Sequence, residues 1–466
     1  MFRSNPLSIA INAACLTLLP FFVCAENKLD SQASHLQTNE RSMEVIEVYA
    51  QKRKQKINDI TVAVSVLDGE DIARQQLKDT TQLSAFVPNL KITNNAGEGT
   101  PPAFNIRGVG MIDYNTSTIS PIAIYSDGIV SGSANNLSVN LFDLEHVEVL
   151  RGPQGSLFGR NTTGGAILLR SKQPDREFAG YINASVAQHD TLSLEAAVNV
   201  PISDSTAMRF AISHQDYNFS TNNQMPDQPD GGLKQTNVRL IIKSEFDDLI
   251  ITSKFHAEDW SGKPKPIASL GIRRVDGSGN CQTSQLGSSL CADNFGNQID
   301  GNDFWDVNAD TADRKHDTDS WGTSVKFEWQ LSDDILLTSI SGYRSLVRFH
   351  SWDSDGPGNF IEGAMATDNT LFSQELSLAI DFGDNHWVSG LFYVDEEIQQ
   401  NNNFDLFRDF RPVPGFETVA AQYFYDNQLE NSSSAIYSQI EHRLNDVFTV
   451  TAGMRYTDET TKYHAN

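Results

Sequence analysis

The sequence predicts a mixed α/β domain followed by a long antiparallel transmembrane β-barrel. Three observations carry that prediction. Glycines and short helix and strand signals crowd residues 58–175, period-2 strands begin at Phe178, and short turns alternate with long polar loops between those strands. The first pattern belongs to a small, turn-rich domain. The other two belong to a barrel that crosses a membrane, with turns at one rim and loops at the other.

Bulk properties agree with this division. A chain of 466 residues has room for two or more folding units. It carries 35 Lys and Arg against 60 Asp and Glu, a formal charge of -25. That balance excludes a nucleic-acid partner, because phosphate binding needs basic patches. Mean hydropathy is -0.36. Beyond the N-terminus no apolar run is long enough for a membrane helix. A barrel strand is apolar only at alternate positions, so its average stays near zero.

The elements follow in order. Residues 1–25 read as a secretory signal: Arg3, an apolar stretch from Leu7 to Val23, then Val23-Cys24-Ala25. Bulky Val23 disfavours lipidation of Cys24. Residues 26–57 form an arm, polar from Glu26 to Met43 and without apolar period. Within the arm, Glu44-Val45-Ile46-Glu47-Val48-Tyr49-Ala50 alternates as an orphan strand with no hairpin partner. In the domain spanning 58–175, Val62 to Leu67 is a β-branched run. Asp68 caps a helix, with Asp71 in its first turn. Thr80 or Thr81 starts a second short helix that Pro88 ends.

Residues 176–466 supply the barrel strands. Leu192 to Val200 is apolar at every even position; Pro201 to Ser205 turns the chain; Met208, Phe210 and Ile212 continue the apolar face. Short turns recur at Phe246–Asp248, Leu331–Asp334, Asp381–Asp384 and Leu444–Asp446. Long polar loops recur near 218–234, 261–319, 348–368 and 396–432. Trp260, Trp321, Trp329 and Trp387 stand near strand ends, as an interfacial girdle requires. A soluble sandwich or propeller fits these strands and the signal segment less well. Cleavage of the signal leaves Cys281 and Cys291, which flank a short polar loop. In an oxidising compartment a disulfide is expected, stabilising by about 3 kcal/mol. A metal site would need further ligands, which the neighbourhood lacks. The strands number roughly eleven, whereas single-chain barrels have even counts. The expectation is therefore a truncated sequence holding an incomplete barrel, with two raw edges.

The glycine-rich segment carries a resemblance. Asn105-Ile106-Arg107-Gly108-Val109-Gly110, Tyr125-Ser126-Asp127-Gly128-Ile129, the run from Leu141 to Gly155 and the continuation Leu157 to Ile167 resemble, in order, the plug of TonB-dependent receptors. The resemblance implies an N-terminal plug inside a 22-stranded barrel, of which about eleven strands are present here. It places the TonB box at Glu44, Val45, Ile46, Glu47, Val48, Tyr49 and Ala50, with Glu47 and Tyr49 as departures from the more apolar pattern. It implies TonB, acting with ExbB and ExbD, as partner; outer-membrane lipid around the barrel; and plug-to-barrel bonds through Arg107, Glu145, Glu148, Arg151 and Arg160. Ordinary surface ion pairs, worth about 0–1 kcal/mol each, are the other reading of those five residues. The implied activity is energised import, most often of a ferric siderophore, with haem, cobalamin, nickel complexes or carbohydrates as further cargoes. Ligand would meet plug apices near Asn94–Pro102 and Met111–Ser120 and the outer loop Asp353–Phe360. A passive porin-like channel and a truncated, non-functional receptor fragment are the alternatives.

Other chemistry is not indicated. Gly159 to Ala166 has the glycine spacing of a phosphate loop but Gly165-Ala166 where Lys and Ser or Thr are required. The Asp-rich loop 293–319 lacks EF-hand spacing and reads as solvated. No nucleophile–base set suggests an enzyme, and no cofactor or metal is implied.

Overall fold

In the computed structural model, residues 47–57, 60–94, 101–111, 118–228, 230–267, 270–293, 296–298, 305–310, 315–416, 418, 421–445 and 447–465 are described. The signal segment, the arm as far as Ile46, and the central parts of the two plug apices lie outside them.

The arm enters as a hairpin. β1 (Glu47–Val48) pairs antiparallel with β2 (Gln55–Lys56). The orphan strand of the sequence reading therefore has a partner, reached through a turn in which Lys52 adopts a positive φ of 58°.

The plug follows from local signals. Strand β3 (Val64–Asp68) runs into α1 (Gly69–Arg74), and the Asp68 carboxylate accepts from the Asp71 N–H at 2.6 Å. Glu70 and Asp71 at the start and Arg74 at the end complement the helix dipole. The second helix is a 3-10 segment, Thr80–Ala85, which starts at Thr80 as expected and is capped by Asp79. The Asp79 carboxylate accepts from Thr81 N–H at 2.7 Å, a stronger acceptor than a hydroxyl would offer. Strands β4 (Leu90–Asn94), β5 (Pro102–Ile106) and β6 (Val109–Gly110) form one small sheet. Strands β7 (Ile122–Ser126), β8 (Ile129–Val130), β9 (Leu144–Arg151) and β10 (Gly165–Ser171) join β3 in the order β3-β9-β10-β7-β8. Leu83, Phe104, Ile106, Ile124, Val147, Val149 and Ile167 fill the core between these sheets and the helices.

The wall is a single antiparallel sheet of eleven strands. It comprises β11 (Ala179–Ala187), β12 (Thr191–Pro201), β13 (Thr206–Asn218), β15 (Gly232–Phe246), β16 (Leu249–Lys263), β20 (His316–Ser332), β21 (Ile335–Asp353), β22 (Ile361–Phe382), β23 (Asn385–Leu406), β24 (Ala421–Arg443) and β25 (Thr449–Ala465). Each pairs with its predecessor in this series. Among the described residues β11 and β25 are its edges. The long loops carry two small pairs: β14 (Asn222–Asn223) with β19 (Asp306–Val307), and β17 (Arg273–Arg274) with β18 (Cys291–Ala292). Cys281 and Cys291 are joined by a disulfide beside the second pair.

Side-chain polarity is inverted relative to a soluble sheet. On β13, Arg209, Ala211 and Ser213 are buried against the interior. Met208, Phe210 and Ile212 alternate with them and so face outward. Phe255, Phe327, Phe372, Leu376, Leu391 and Ile436 are exposed on the same outer surface. Trp329 and Trp387 stand exposed near the short-turn rim, but Trp260 is buried and faces inward, so it is no part of a girdle. No helix among the described residues is long and apolar enough to cross a membrane, which says nothing about strands.

Candidate functional site

The site is the polar seam between arm, plug and wall. It is built from three layers, starting at the short-turn rim with the arm hairpin. Lys52, at the turn, ion-pairs with Glu375 of β22, and Glu375 also accepts from the Tyr437 hydroxyl of β24. The Lys52 ammonium lies 4.8 Å from the Tyr437 ring and 5.5 Å from that of Phe158. Burial pushes the Lys52 pKa below its ordinary value, and Glu375 opposes that shift. Arg53 reaches Glu441 of β24 at 2.5 Å. Ala50 packs in one apolar cluster with Tyr125, Phe158, Val388 and Tyr437, so the hairpin touches plug and wall at once.

The hairpin is also tied to the plug sheet. The Tyr49 N–H donates to Glu148 of β9 at 2.7 Å. The Tyr49 ring carries the Arg170 guanidinium 3.7 Å from its centre. Burial raises the Tyr49 pKa, and Arg170 opposes it.

The five charged plug residues chosen from the sequence divide. Arg160 ion-pairs with Glu459 of β25 at 2.5 Å and approaches Glu396 of β23 at 3.7 Å. Glu145 instead pairs with Arg170 at 2.9 Å, inside the plug. Glu148 bonds His146 at 2.9 Å and the arm, not the wall, because its strand is interior to the plug sheet. Arg107 is exposed in the β5–β6 turn with a φ of 53°, and its guanidinium lies over Gly152 of the plug. Arg151 ends β9 with its Nε buried and without a hydrogen-bond partner. Among the described residues, Arg160 is thus the one of the five that ion-pairs with the wall.

The remaining wall contacts fall on residues that charge alone did not single out. Asp127 sits at a φ of 50° before Gly128 at 89°. Its carboxylate accepts from Lys254 of β16 at 2.5 Å and from the Ser171 N–H and hydroxyl at 2.8 and 2.7 Å. Burial alone would raise the Asp127 pKa; Lys254 and the Ser171 bond hold it well below the ordinary carboxylate range. Asp143, at a φ of 47°, receives Arg209 of β13 through two donors, at 2.8 and 2.5 Å. Arg239 of β15 donates to the Phe142 and Asp143 carbonyls, at 2.7 Å each. Asn140 Nδ2 donates to Asn237 at 2.8 Å and Glu258 at 3.2 Å, and Ser133 N–H to Glu396 at 2.9 Å. Short acidic side chains in left-handed turns were the missed signal: Asp tolerates that conformation and projects from the turn.

Nearer the long-loop rim, a cavity of about 560 Å³ separates the plug from β12, β13, β15, β16, β20 and β21. Its lining is rich in amides and hydroxyls, with Tyr217 and Trp260 as aromatic surfaces. Above the wall, the Phe360, Phe407, Phe410 and Phe416 rings form a cluster with centroids 5.0 to 6.0 Å apart, and Asn359 Nδ2 donates to Asp310 and Asp409, which ties three loops together.

Comparison with known proteins gives this arrangement its family. Residues 56–166 match the TonB-dependent receptor plug domain, and residues 265–466 match the TonB-dependent receptor-like β-barrel. The pesticin receptor of Yersinia enterocolitica is 29% identical over 174 residues, which are 37% of this chain and 25% of that protein. The vitamin B12 transporter BtuB of Vibrio cholerae is 24% identical over 224 residues, 46% of this chain and 35% of that protein. Among solved structures, the ferric yersiniabactin uptake receptor FyuA from Yersinia pestis superposes with a TM-score of 0.69 at 19% identity, covering 87% of this chain and 58% of that one. The ferric-catecholate import receptor Fiu from E. coli K12 gives 0.65 at 17% identity, covering 88% and 61%. The chain thus spans about a quarter to a third of these curated relatives. With one match on the plug and the other on the wall from β20 onward, the chain belongs to the TonB-dependent receptor family of the bacterial outer membrane.

Proposed function

We propose that the chain serves TonB-dependent import of a scarce nutrient across the outer membrane, with a ferric siderophore as the cargo. The observation that carries this reading is the arm hairpin. It is fastened to the wall through Lys52 and Arg53 and to the plug sheet through Tyr49 and Glu148. A pull on the segment Glu44–Ala50 would load the plug and the seam together. TonB can add an edge strand to a segment of this kind by backbone bonds, so Glu47 and Tyr49 are no obstacle. ExbB and ExbD would supply the force through TonB. The seam is built of buried polar pairs, and when both partners part together they regain the water that burial cost them, which offsets the lost contact. The cargo follows the relatives: several are named for ferric chelates, one for vitamin B12.

Deleting Glu44–Ala50 from the full-length gene is expected to abolish uptake of radiolabelled ferric chelate while the receptor still inserts. Unchanged uptake would remove the TonB mechanism. A passive porin-like channel accords poorly with a plug packed against the inner face of the wall.

A further inference from the structure

The cavity at the long-loop end has a feature that its amide-rich lining does not explain. Trp260, Thr318 and Arg348 are direct cross-strand partners on β16, β20 and β21, so their side chains share the inner face. Arg348 is 5% exposed, and its Nε donates to the Thr318 hydroxyl at 3.1 Å. Its Nη1 is buried and has no partner. Arg344 lies four residues earlier on the same face, lines a smaller neighbouring cavity, and has its Nε likewise buried and unpartnered. A guanidinium taken from water without acceptors is costly, so one with open donors is poised for an anion.

The charge of Glu258 favours both guanidiniums but leaves these donors open. Glu258 is engaged by Gln235, Asn140 and Ser320 at 2.8, 3.2 and 3.3 Å, all neutral donors. Lys78 of the plug lines the opposite side of the cavity. Arg348 and Lys78 thus face one another across a cavity whose two acids, Glu258 and Asp79, accept from neutral donors. The planar fork of Arg matches a carboxylate or a phosphate. We propose that Arg348, supported by Lys78 across the cavity, seats an oxyanionic group of the imported solute, a carboxylate or a phosphate, on the inner wall. The proposal rests on the import reading for its purpose. Its test does not, because binding to the isolated receptor needs no TonB.

Isothermal titration of the full-length receptor in detergent with citrate, inorganic phosphate and sorbitol decides the matter. Citrate or phosphate is expected to bind, and whichever binds more tightly identifies the group; sorbitol is not expected to bind. Arg348→Gln should weaken binding roughly ten- to hundred-fold, the range of one charge-assisted hydrogen bond. Arg348→Lys should retain part of it. Should Arg348→Gln fail the heat-modifiable mobility check of a folded barrel, Thr318→Val, which frees the guanidinium from its positioning hydroxyl, should weaken binding by a smaller factor. Failure of both anions to bind the unmodified receptor overturns the proposal, as does sorbitol binding equal to theirs. Equal affinity in folded Arg348→Gln overturns it too. Loss of uptake on deleting Glu44–Ala50 with anion binding intact would support the import reading separately.

Discussion

Asp127 shows how one short side chain joins two domains. A left-handed turn sets its carboxylate between Lys254 of the wall and Ser171 at the end of the neighbouring plug strand β10. The pH dependence follows in sign. The folded pKa lies below the ordinary 3.8, so the stabilisation is fully present above 3.8 and is lost as pH falls through and below it. Asp127→Asn should lower plug stability at neutral pH by about 3–5 kcal/mol, because Lys254 is left buried without its counter-charge, holding only the Ser126 hydroxyl. It should also flatten the acid loss. Calorimetric scans of the two proteins from neutral pH to below 3.8 test this; parallel acid profiles would contradict the assignment. At this scale the sequence was legible where a signal is local. Asp68 announces its helix because its partner, Asp71, is three residues on. Lys254 is far away in the chain, so nothing in the run Tyr125 to Ile129 reveals it.

The arm hairpin is the element least visible in sequence. Gln55 and Lys56 lack apolar alternation, and a two-residue strand has no period to detect. What holds the hairpin lies 323 and 388 residues away, at Glu375 and Glu441. Its register permits a direct test. Glu47 and Lys56 are Cα partners, and the spacing of such pairs, roughly 4.5–5.5 Å, falls within disulfide range. With Glu47→Cys and Lys56→Cys combined, the hairpin can be locked by oxidation. Uptake is expected to fall at least about tenfold in oxidised cells, the mark of a step worth 1.4 kcal/mol or more, and to recover with a reductant. Full uptake by the oxidised form would mean that the hairpin stays closed during transport. The long strands, by contrast, were plain in the sequence, since period 2 persists over many residues and each short turn interrupts it. Their lengths were not. β22 and β23 run to 22 residues each, beyond the roughly 9–11 that cross a bilayer, and polar segments of the reading's loops are strand in the structure.

At the scale of the molecule, polarity assigns the outer surface to lipid and the inner one to the plug. Phe210 lies between buried Arg209 and Ala211 and therefore points the other way. Phe210→Lys should cost about 2–4 kcal/mol if the position is near mid-membrane. The urea midpoint for folding into lipid vesicles measures it; no shift would mean that this face does not meet hydrocarbon. Alternation told that two faces exist, and the membrane reading told which is outside, but single residues such as Trp260 still fell on the unexpected face. The plug's grip on the wall is spread from the early strands to the last. Asp143 holds β13 and β15, Asp127 holds β16, Ser133 holds β23, and Arg160 holds β23 and β25. Every wall strand pairs with its predecessor in the sheet, so the wall can grow hairpin by hairpin, with loop closure kept short at each addition. The early strands already carry partners for the two turn aspartates. The plug can therefore serve as a mandrel, captured while the sheet curls around it, and need not be threaded into a finished cylinder.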